Sequence, residues 1–334
     1  MTQPRRQVFI GGSSQSGTTT LNRFLWLHPD VLACGLETCF VVGPHGLMDV
    51  VRGISDEYCY FRLDSILYEF DRLMHHHLCS PRSYPYNRFD LASFFGRKRY
   101  HAAIDKFFAR IGASRYNADG LTIQSAVRVG GLHTPYKLKR LRLPARLARE
   151  RSYLYRADRQ SRHDALAAGY ALLEDLFGAK AREEGKRVWC EQTSTNQLFA
   201  RFLIDLCPDG LHINTIRDPL DVALAHQAQD WMPDDFVTIC ATLRSVYDRW
   251  FTQRDSLPVS SYIEIHFEEL VSQPERVLPE VCAAIGISYD ARMLESQPDA
   301  RRLAAERERR NSADLATYRR ILGPTAERLG YTVP

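Results

Sequence analysis

Glycine and hydroxyl residues form a short loop near the amino terminus, at residues 12–19 (GSSQSGTT). The loop follows an apolar run at residues 7–11 that predicts a buried strand, and it precedes a segment with helical periodicity. Glycine lets the backbone turn sharply, and the N–H groups of a first helical turn attract anions. We therefore predict a phosphate-binding loop, with an ordinary strand–turn–helix connection as the alternative. Its donors are expected among Ser14, Gln15, Ser16, Gly17, Thr18 and Thr19.

The spacing of Gly12 and Gly17 resembles the loop G-x-x-x-x-G-K-[ST] of enzymes that bind nucleoside triphosphates. Thr18 stands where those enzymes have lysine. A kinase or ATPase uses that lysine, together with magnesium, on the β- and γ-phosphates. An ATP-dependent kinase is therefore the weaker hypothesis, and the loop favours a nucleotide of lower charge that needs no metal.

A second candidate phosphate contact is Arg217, which begins the tripeptide Arg217-Asp218-Pro219. It follows the apolar segment 211–216 (LHINTI), which predicts another buried strand. A guanidinium fixed at the end of a strand can bind a phosphate through two parallel hydrogen bonds. The alternative is a turn that carries a surface charge, but the presence of the glycine-rich loop favours the phosphate contact.

Apolar segments at 7–11, 187–190, 211–216 and 262–267 predict the strands that must position these residues. The helical periodicity between them predicts an α/β fold with a P-loop-like parallel sheet flanked by helices. In such sheets ligands bind beyond the carboxyl ends of the strands. Pro279 is expected to kink or restart the last helix before Ile285, and Trp26, Trp231 and Trp250 are expected in the core and not as platforms for adenine.

Composition excludes several classes of protein. The 334 residues are 45% hydrophobic and 25% charged, which is typical of a globular chain, and the net charge of +4 does not argue for nucleic acid or an anionic membrane. No apolar run is long enough to span a bilayer and no signal-peptide core is present, so a cytoplasmic protein is expected. The eight cysteines lack C-x-x-C spacing, and the adjacent His75, His76 and His77 point apart on a helix, so no metal site is predicted.

The segment FIGGSSQSGTTTLNRFLWLHPDVLACGLET resembles the 5′-phosphosulfate loop of the sulfotransferase family, in the branch that includes tyrosylprotein and many bacterial sulfotransferases. The segment HINTIRDPLDVALAH is similar to the 3′-phosphate motif of that family. Three further blocks, VWCEQTST, YIEIHFEELVSQPERVL and the tail RRNSADLATYRRILGPTAERLGY, also resemble it. The resemblance covers residues 8–40 and 186–331 in the expected order. In the first block the matching residues are Ser16, Gly17, Thr18, Thr19, His28, Pro29, Asp30 and Glu37.

The resemblance implies the sulfotransferase fold and a single domain over residues 1–334. It implies transfer of a sulfuryl group from 3′-phosphoadenosine 5′-phosphosulfate (PAPS) to a hydroxyl or amine of a small-molecule, carbohydrate or peptide acceptor, with release of PAP and without a metal. Residues 43–185 are expected to form a mostly helical, basic insertion that shapes the acceptor site. A nucleic-acid partner is not expected, and whether the protein forms a homodimer is left open.

The resemblance also implies roles for single residues. Glu37 takes the place of the general base, with a structural carboxylate as the alternative, and Gln15 takes the place of a catalytic arginine or lysine. His226 is a candidate phosphate contact beside Arg217, and Arg310 and Asn311 match the loop that closes over the nucleotide. Thr193 and Ser194 are expected either near the donor or as the cap of a helix.

Three positions depart from the family pattern, because Gln15 and Gln192 replace cations and Ala225 replaces a serine. Weak donor binding, a different donor, a substitute cation and loss of catalysis are all compatible with these changes. A substitute cation is favoured, and a non-catalytic or altered-donor member of the fold is the alternative function. The candidate substitutes are Arg23, the basic cluster at 97–99, Arg309 and Arg310.

Overall fold

A five-stranded parallel sheet forms the centre of the computed structural model, which describes residues 7–79, 90–117, 153–230, 232–233, 235–296 and 312–334. The strand order is β2-β5-β1-β6-β7, and a separate antiparallel pair joins β3 to β4. The strands are β1 (Gln7–Gly12), β2 (Val31–Ala33), β3 (Ser114–Asn117), β4 (Tyr153–Arg156), β5 (Val188–Gln192), β6 (Leu211–Ile216) and β7 (Tyr262–His266).

Helices connect the strands and cover the sheet. The α-helices are α1 (Thr18–Trp26), α2 (Leu47–Ile54), α3 (Tyr60–Arg72), α4 (Leu91–Phe95), α5 (Arg97–Arg110), α6 (Arg162–Leu173), α7 (Ala179–Glu183), α8 (Ala200–Leu206), α9 (Pro219–Gln227), α10 (Phe236–Asp255), α11 (Phe267–Ser272), α12 (Pro274–Ile285), α13 (Ser312–Ile321) and α14 (Gly323–Arg328). Single π-helical turns extend α3 over Leu73–His77 and join α6 to α7 over Glu174–Gly178. Short 3₁₀ turns lie at Ser194–Phe199, Val259–Ser261 and Ala291–Glu295.

The two faces of the sheet bury different side chains, because successive residues of a strand point to opposite sides. Phe9 and Trp189 face the helices of the region between β2 and β5, and their rings meet edge to face at 5.6 Å. Val8 and Ile10 face the other way, toward α1 and α12. The predicted α/β architecture, with a parallel sheet covered on both faces, is therefore confirmed.

Several predictions of single elements differ from the structure. All four predicted strands are present, but the pattern analysis missed the short edge strand β2 and the β3–β4 pair, whose segments lack a long apolar run. Helix α12 begins at Pro274 and continues through Pro279, so the helix does not restart at Pro279, and a kink there stays a prediction. Trp250 is buried as expected, Trp26 is 56% exposed at the end of α1, and Trp231 lies outside the described residues.

The region 43–185 is mostly helical where the structure describes it, and it also holds the β3–β4 pair. Within this region, residues 80–89 and 118–152 lie outside the described residues. The role of this region at an acceptor site and the single-domain boundaries stay predictions. None of the described helices combines the length and the apolar character needed to cross a membrane.

His212 lies at the centre of the sheet, on the face that packs against α10. Its side chain is fully buried, and its ring is 5.3 Å from the ring of Trp250. Neither ring nitrogen has a hydrogen-bond partner among the described residues. Burial disfavours the charged imidazolium and lowers the pKa of His212 to about 3. The native protein therefore holds this histidine neutral.

This burial predicts a loss of stability in mild acid. In the unfolded chain, His212 takes up a proton near its ordinary pKa of about 6.5, whereas in the native protein it stays neutral until far lower pH. The free energy of unfolding is therefore unaffected by this group above about pH 6.5 and falls as the pH drops below that value. Between pH 7 and pH 5, the free energy of unfolding of the wild type should fall by about 2 kcal/mol more than that of His212→Gln. Urea denaturation at the two pH values measures this difference. The matched control, His163→Gln at an exposed position, should behave as the wild type; equal losses in wild type and His212→Gln would contradict the prediction.

Candidate functional site

The glycine-rich loop lies at the carboxyl end of β1, the central strand. Ser16 N–H donates to the carbonyl of Ser13 at 3.0 Å, which closes a tight turn. Gln15 and Gly17 both have left-handed backbone conformations, with φ of 69° and 98°. A Cβ atom on Gly17 would lie 2.2 Å from the ring of Phe267, so only glycine fits there. The loop is therefore a packed element with a fixed backbone.

Helix α1 starts directly after this loop and points its amino terminus toward the sheet edge. Its first intrahelical bond runs from Leu21 N–H to the carbonyl of Gly17 at 3.0 Å. The amides of Thr18, Thr19 and Thr20 come before Leu21, the first amide with an intrahelical acceptor, so the helix itself supplies no acceptor for them. The first turn contains no acidic residue and the N-cap has no side-chain hydrogen bond, so this terminus keeps its partial positive charge.

The predicted hydroxyl donors of the loop are mostly engaged within the protein. The hydroxyl of Ser16 lies 2.9 Å from that of Thr215 in β6, and both side chains are buried. Thr18 accepts from Gln192 at 3.3 Å and lies 3.5 Å from the hydroxyl of Ser194. Thr19 is exposed, and Ser14 and Gln15 are half-buried. The buried hydroxyls thus build the loop, which leaves the backbone amides as its main anion donors.

Arg217, the second predicted phosphate contact, lies beside the loop. It follows β6, is only 4% exposed, and donates from Nη1 to the carbonyl of Gln15 at 3.0 Å. Its guanidinium lies 5.3 Å from the centre of the Phe267 ring, which also contacts Gly17. Arg217 and the loop are therefore parts of one packed unit at the carboxyl edge of the sheet.

His226 reaches the same loop from α9. Its Nε2 lies 3.0 Å from the carbonyl of Ser14, so Nε2 carries the proton and donates. Burial lowers the pKa of His226, which keeps the ring neutral near pH 7. The histidine next to Ala225 therefore holds the loop as a neutral donor and adds no positive charge.

Glu37 lies close to the amino terminus of α1. Its Oε1 atom accepts from Gln192 Nε2 at 3.1 Å, from the backbone N–H of Ser194 at 3.1 Å and from the hydroxyl of Ser194. Gln192 and Ser194 also contact Thr18, the first residue of α1. The structure thus brings the predicted general base and the predicted phosphate loop together through two shared neighbours.

Glu191 is a central residue of the site that the sequence reasoning missed, although it belongs to the block VWCEQTST. The carboxyl is fully buried and accepts from Thr38 at 2.5 Å, from Thr193 at 2.6 Å and from Asn196 at 2.6 Å. Burial raises the pKa of Glu191, and the three hydrogen bonds oppose that effect. Glu191 therefore ties the end of β5 to the segment that carries Glu37.

Thr193 does not cap the turn that follows it. Its hydroxyl instead donates to Glu191 and accepts from the backbone N–H of Cys39 at 3.2 Å. The helix-cap alternative for Thr193 is therefore wrong.

A second network holds the turn after Arg217. The backbone N–H of Asp218 donates to Glu268 Oε1 at 3.0 Å, and the hydroxyl of Tyr331 donates to Glu268 Oε2 at 2.8 Å. Tyr331 belongs to the carboxyl-terminal Leu-Gly-Tyr that the sequence singled out, and it also contacts His266 at 3.1 Å. The tail is thereby fixed next to the candidate phosphate contact.

Two of the suggested substitute cations, Arg97 and Arg99, are engaged in ion pairs with other parts of the protein. Arg97 pairs with Asp90, and Arg99 pairs with Glu183, which shortly precedes the amino end of β5 and so lies away from the carboxyl edge of the sheet. Arg23 is exposed on α1. Arg309, Arg310 and Asn311 lie outside the described residues, so the closing loop stays a prediction.

The histidines that the sequence singled out do not form a metal cluster. His75 stacks on His101 with the ring centres 5.1 Å apart. Over the described ranges, no group of three histidine, cysteine, aspartate or glutamate side chains converges in a way that could hold a metal ion.

Comparison with solved structures shows related folds. The sulfotransferase domain of the olefin synthase from Synechococcus PCC 7002 aligns over 100% of this chain and 98% of its own, with 13% identity and a TM-score of 0.53. The sulfotransferase domain of the curacin biosynthetic pathway has 11% identity and a TM-score of 0.49, with 100% of both chains covered. A sulfotransferase from Mycobacterium tuberculosis H37Rv has 14% identity and a TM-score of 0.43, covering 96% of this chain and 78% of its own. No curated protein matches the sequence.

The profile of a protein family described as "Sulfotransferase family" matches residues 114–291, just over half of the chain. The matched range includes Glu191 and Arg217 and leaves out the glycine-rich loop and Glu37. The loop therefore adds a feature that the profile match does not contain, and the first of the solved structures agrees with the parallel sheet behind it. The chain belongs to the sulfotransferase family.

Proposed function

We propose that this protein transfers a sulfuryl group from PAPS to a hydroxyl or amine of a small-molecule, carbohydrate or peptide acceptor and releases PAP. The observation that carries the proposal is the contact between the loop and Arg217, where Nη1 lies 3.0 Å from the carbonyl of Gln15. A helix amino terminus and a guanidinium, which both attract anions, lie side by side there. A nucleotide with phosphates at its 5′ and 3′ positions matches two such groups.

The residues present fit this donor. The amides at the start of α1 are suited to the 5′-phosphosulfate, because no acidic residue lies in the first turn. Arg217 is suited to the 3′-phosphate, since a guanidinium is a planar fork of N–H donors that matches the geometry of a phosphate. When bound, PAPS supplies the sulfuryl group and a phosphate leaving group.

Glu37 is proposed as the general base. Sulfuryl transfer requires that the acceptor lose a proton and that the charge on the leaving phosphate be stabilised. Glu37 shares the neighbours Gln192 and Ser194 with the first residue of α1, so a carboxylate lies next to the site proposed for the sulfuryl group. A cytoplasmic setting and an acceptor site formed by residues 43–185 belong to the same proposal.

Nucleotide binding provides the first test. PAP at 100 times its dissociation constant should stabilise the wild type by about 2.7 kcal/mol, visible as a higher melting temperature, and PAP should bind more tightly than AMP, which lacks the 3′-phosphate. In Arg217→Gln the advantage of PAP over AMP should disappear, because the guanidinium is lost. The control Arg276→Gln, at an exposed ion pair on α12, should bind both as the wild type does. Equal stabilisation by ATP with magnesium, or no stabilisation by PAP, would contradict the proposed donor.

Turnover tests the base. Glu37→Gln should lower kcat by about 100-fold or more while PAP still stabilises the protein, because an amide cannot take the acceptor proton at neutral pH. The assay is PAP release from PAPS with 2-naphthol as a generic acceptor. Glu57→Gln, at an exposed ion pair with Arg62, is the matched control and should keep wild-type turnover. Near-normal kcat in Glu37→Gln would remove Glu37 from this role.

The amide at position 15 gives a third prediction. Gln15→Met removes the donor at similar size and should lower kcat by about tenfold, the value of one hydrogen bond to a charged group. Gln15→Lys adds a positive charge next to the leaving phosphate and should raise kcat above that of the wild type. Both are measured at saturating PAPS with 2-naphthol. Two variants with wild-type kcat would show that residue 15 takes no part in the reaction.

A further inference from the structure

The two oxygens of Glu37 have different surroundings. Oε1 accepts from Gln192 Nε2, from the backbone N–H of Ser194 and from the Ser194 hydroxyl. Oε2 has a single contact among the described residues, the thiol of Cys39 at 3.9 Å. A thiol is a weak donor, and burial raises the pKa of Cys39, so it stays neutral. One oxygen of this carboxylate is therefore anchored by three donors and the other keeps its capacity to accept a proton.

We infer that Ser194 is a positioning residue, which anchors Oε1 of Glu37 and thereby presents Oε2 to the acceptor. The inference rests on the proposed function and adds to it the oxygen that takes the proton. In the step, the O–H or N–H bond of the acceptor breaks and its proton goes to Oε2. The acceptor atom forms a bond to sulfur, and the bond from sulfur to the 5′-phosphate oxygen breaks, with its electron pair leaving on PAP.

The surrounding structure makes Ser194 a rigid support. The residue before it, Thr193, donates to Glu191, and Asn196, two residues after Ser194, donates to the same carboxyl group. Asn196 Nδ2 also donates to the carbonyl of Ile10 in the central strand at 3.0 Å. A donor mounted on such a network keeps its direction when ligands bind, as a positioning group requires.

The other anchor of Glu37 is an amide without charge. Gln192 is only 1% exposed, and its Nε2 bridges Glu37 and Thr18 at 3.1 and 3.3 Å. A lysine at this position would form an ion pair with Glu37 and favour its ionised form. Hydrogen bonds from neutral donors favour that form more weakly. Ser194 and Gln192 therefore fix the direction of Glu37 through neutral donors.

The test follows the protonation of Glu37 directly, by ¹³C NMR of the protein labelled at the glutamate side-chain carboxyl carbon. The Glu37 signal is assigned by its absence in Glu37→Gln. In Ser194→Ala, the midpoint of the Glu37 titration should move up by about one pH unit, because the ionised form loses one hydrogen bond. Ser194→Thr, which keeps a hydroxyl, should lie close to the wild type. Thr195→Ala, at the exposed next position, should not move the midpoint.

Kinetics provide the second readout. In Ser194→Ala the acid limb of the kcat profile with 2-naphthol should move in the same direction as the NMR midpoint, and kcat should fall about tenfold with an unchanged KM for PAPS. An unchanged midpoint and acid limb in Ser194→Ala would overturn the inference. If Ser194→Ala does not fold, Ser194→Gly removes the same hydroxyl and should raise the midpoint in the same way; no shift there overturns the inference equally.

Failure of the proposed function would look different. If PAP does not stabilise the wild type, the sulfuryl donor is wrong, yet the titration of Glu37 without ligand still measures its anchoring by Ser194. If PAP binds and the Ser194→Ala titration matches that of the wild type, the proposed donor stands and the positioning role of Ser194 falls.

Discussion

The parallel pairing of β1 with β5 on one side and with β6 on the other decides which residues meet at the site. In this register Ile10 lies beside Gln192, and Gly12 lies beside Thr215. Because parallel strands end at the same edge, the loop after β1, the segment that ends β5 and the arginine after β6 converge there. Residues far apart in the chain are thus brought together by backbone hydrogen bonds, before any ligand contributes.

Close packing then fixes the direction of the loop amides. A Cβ atom on Gly12 would lie 2.3 Å from the hydroxyl oxygen of Thr215, and one on Gly17 would lie 2.2 Å from the ring of Phe267. The glycines are therefore needed for fit as well as for their backbone angles. Arg217 donates a hydrogen bond to the carbonyl of Gln15, and His226 donates one to the carbonyl of Ser14. Donors that are held in place in this way need little reorganisation when charge develops on a bound group.

Sequence reasoning located the parts of the site that are local in the chain. The strand–loop–helix at β1, the strand before Arg217 and the long helix α10 all carry periodic apolar residues next to glycine or charged residues, which is a local signal. The same reasoning placed both the loop and Arg217 directly after strands of a parallel sheet, and Arg217 donates to the carbonyl of Gln15 in that loop. Their assignment to a 5′- and a 3′-phosphate stays a prediction.

The missed features depend on contacts between distant segments. Glu191 reads in the sequence as one polar residue in an apolar strand, and only the fold shows that Thr38, Thr193 and Asn196 surround it. The strand β2 has three residues, too few for a periodic pattern, and it forms because β5 pairs with it. Trp26 is exposed because α1 ends there, beyond the elements that cover the helix. Helical spacing in the sequence does not predict that position.

The pattern of charge at the site differs from a phosphate loop that depends on lysine. Gln15 and Gln192 supply amides where cations are expected from the family, and His226 is neutral because it is buried. Arg217 and the amino terminus of α1, which is equivalent to about half a unit charge, provide positive potential at the loop. Glu37 lies beside that terminus, and the side chain at position 192 that contacts it is an amide where the family has lysine. The two glutamines thus act on different groups: the one at position 15 replaces a cation beside the proposed leaving phosphate, and the one at position 192 is a neutral anchor for the proposed general base.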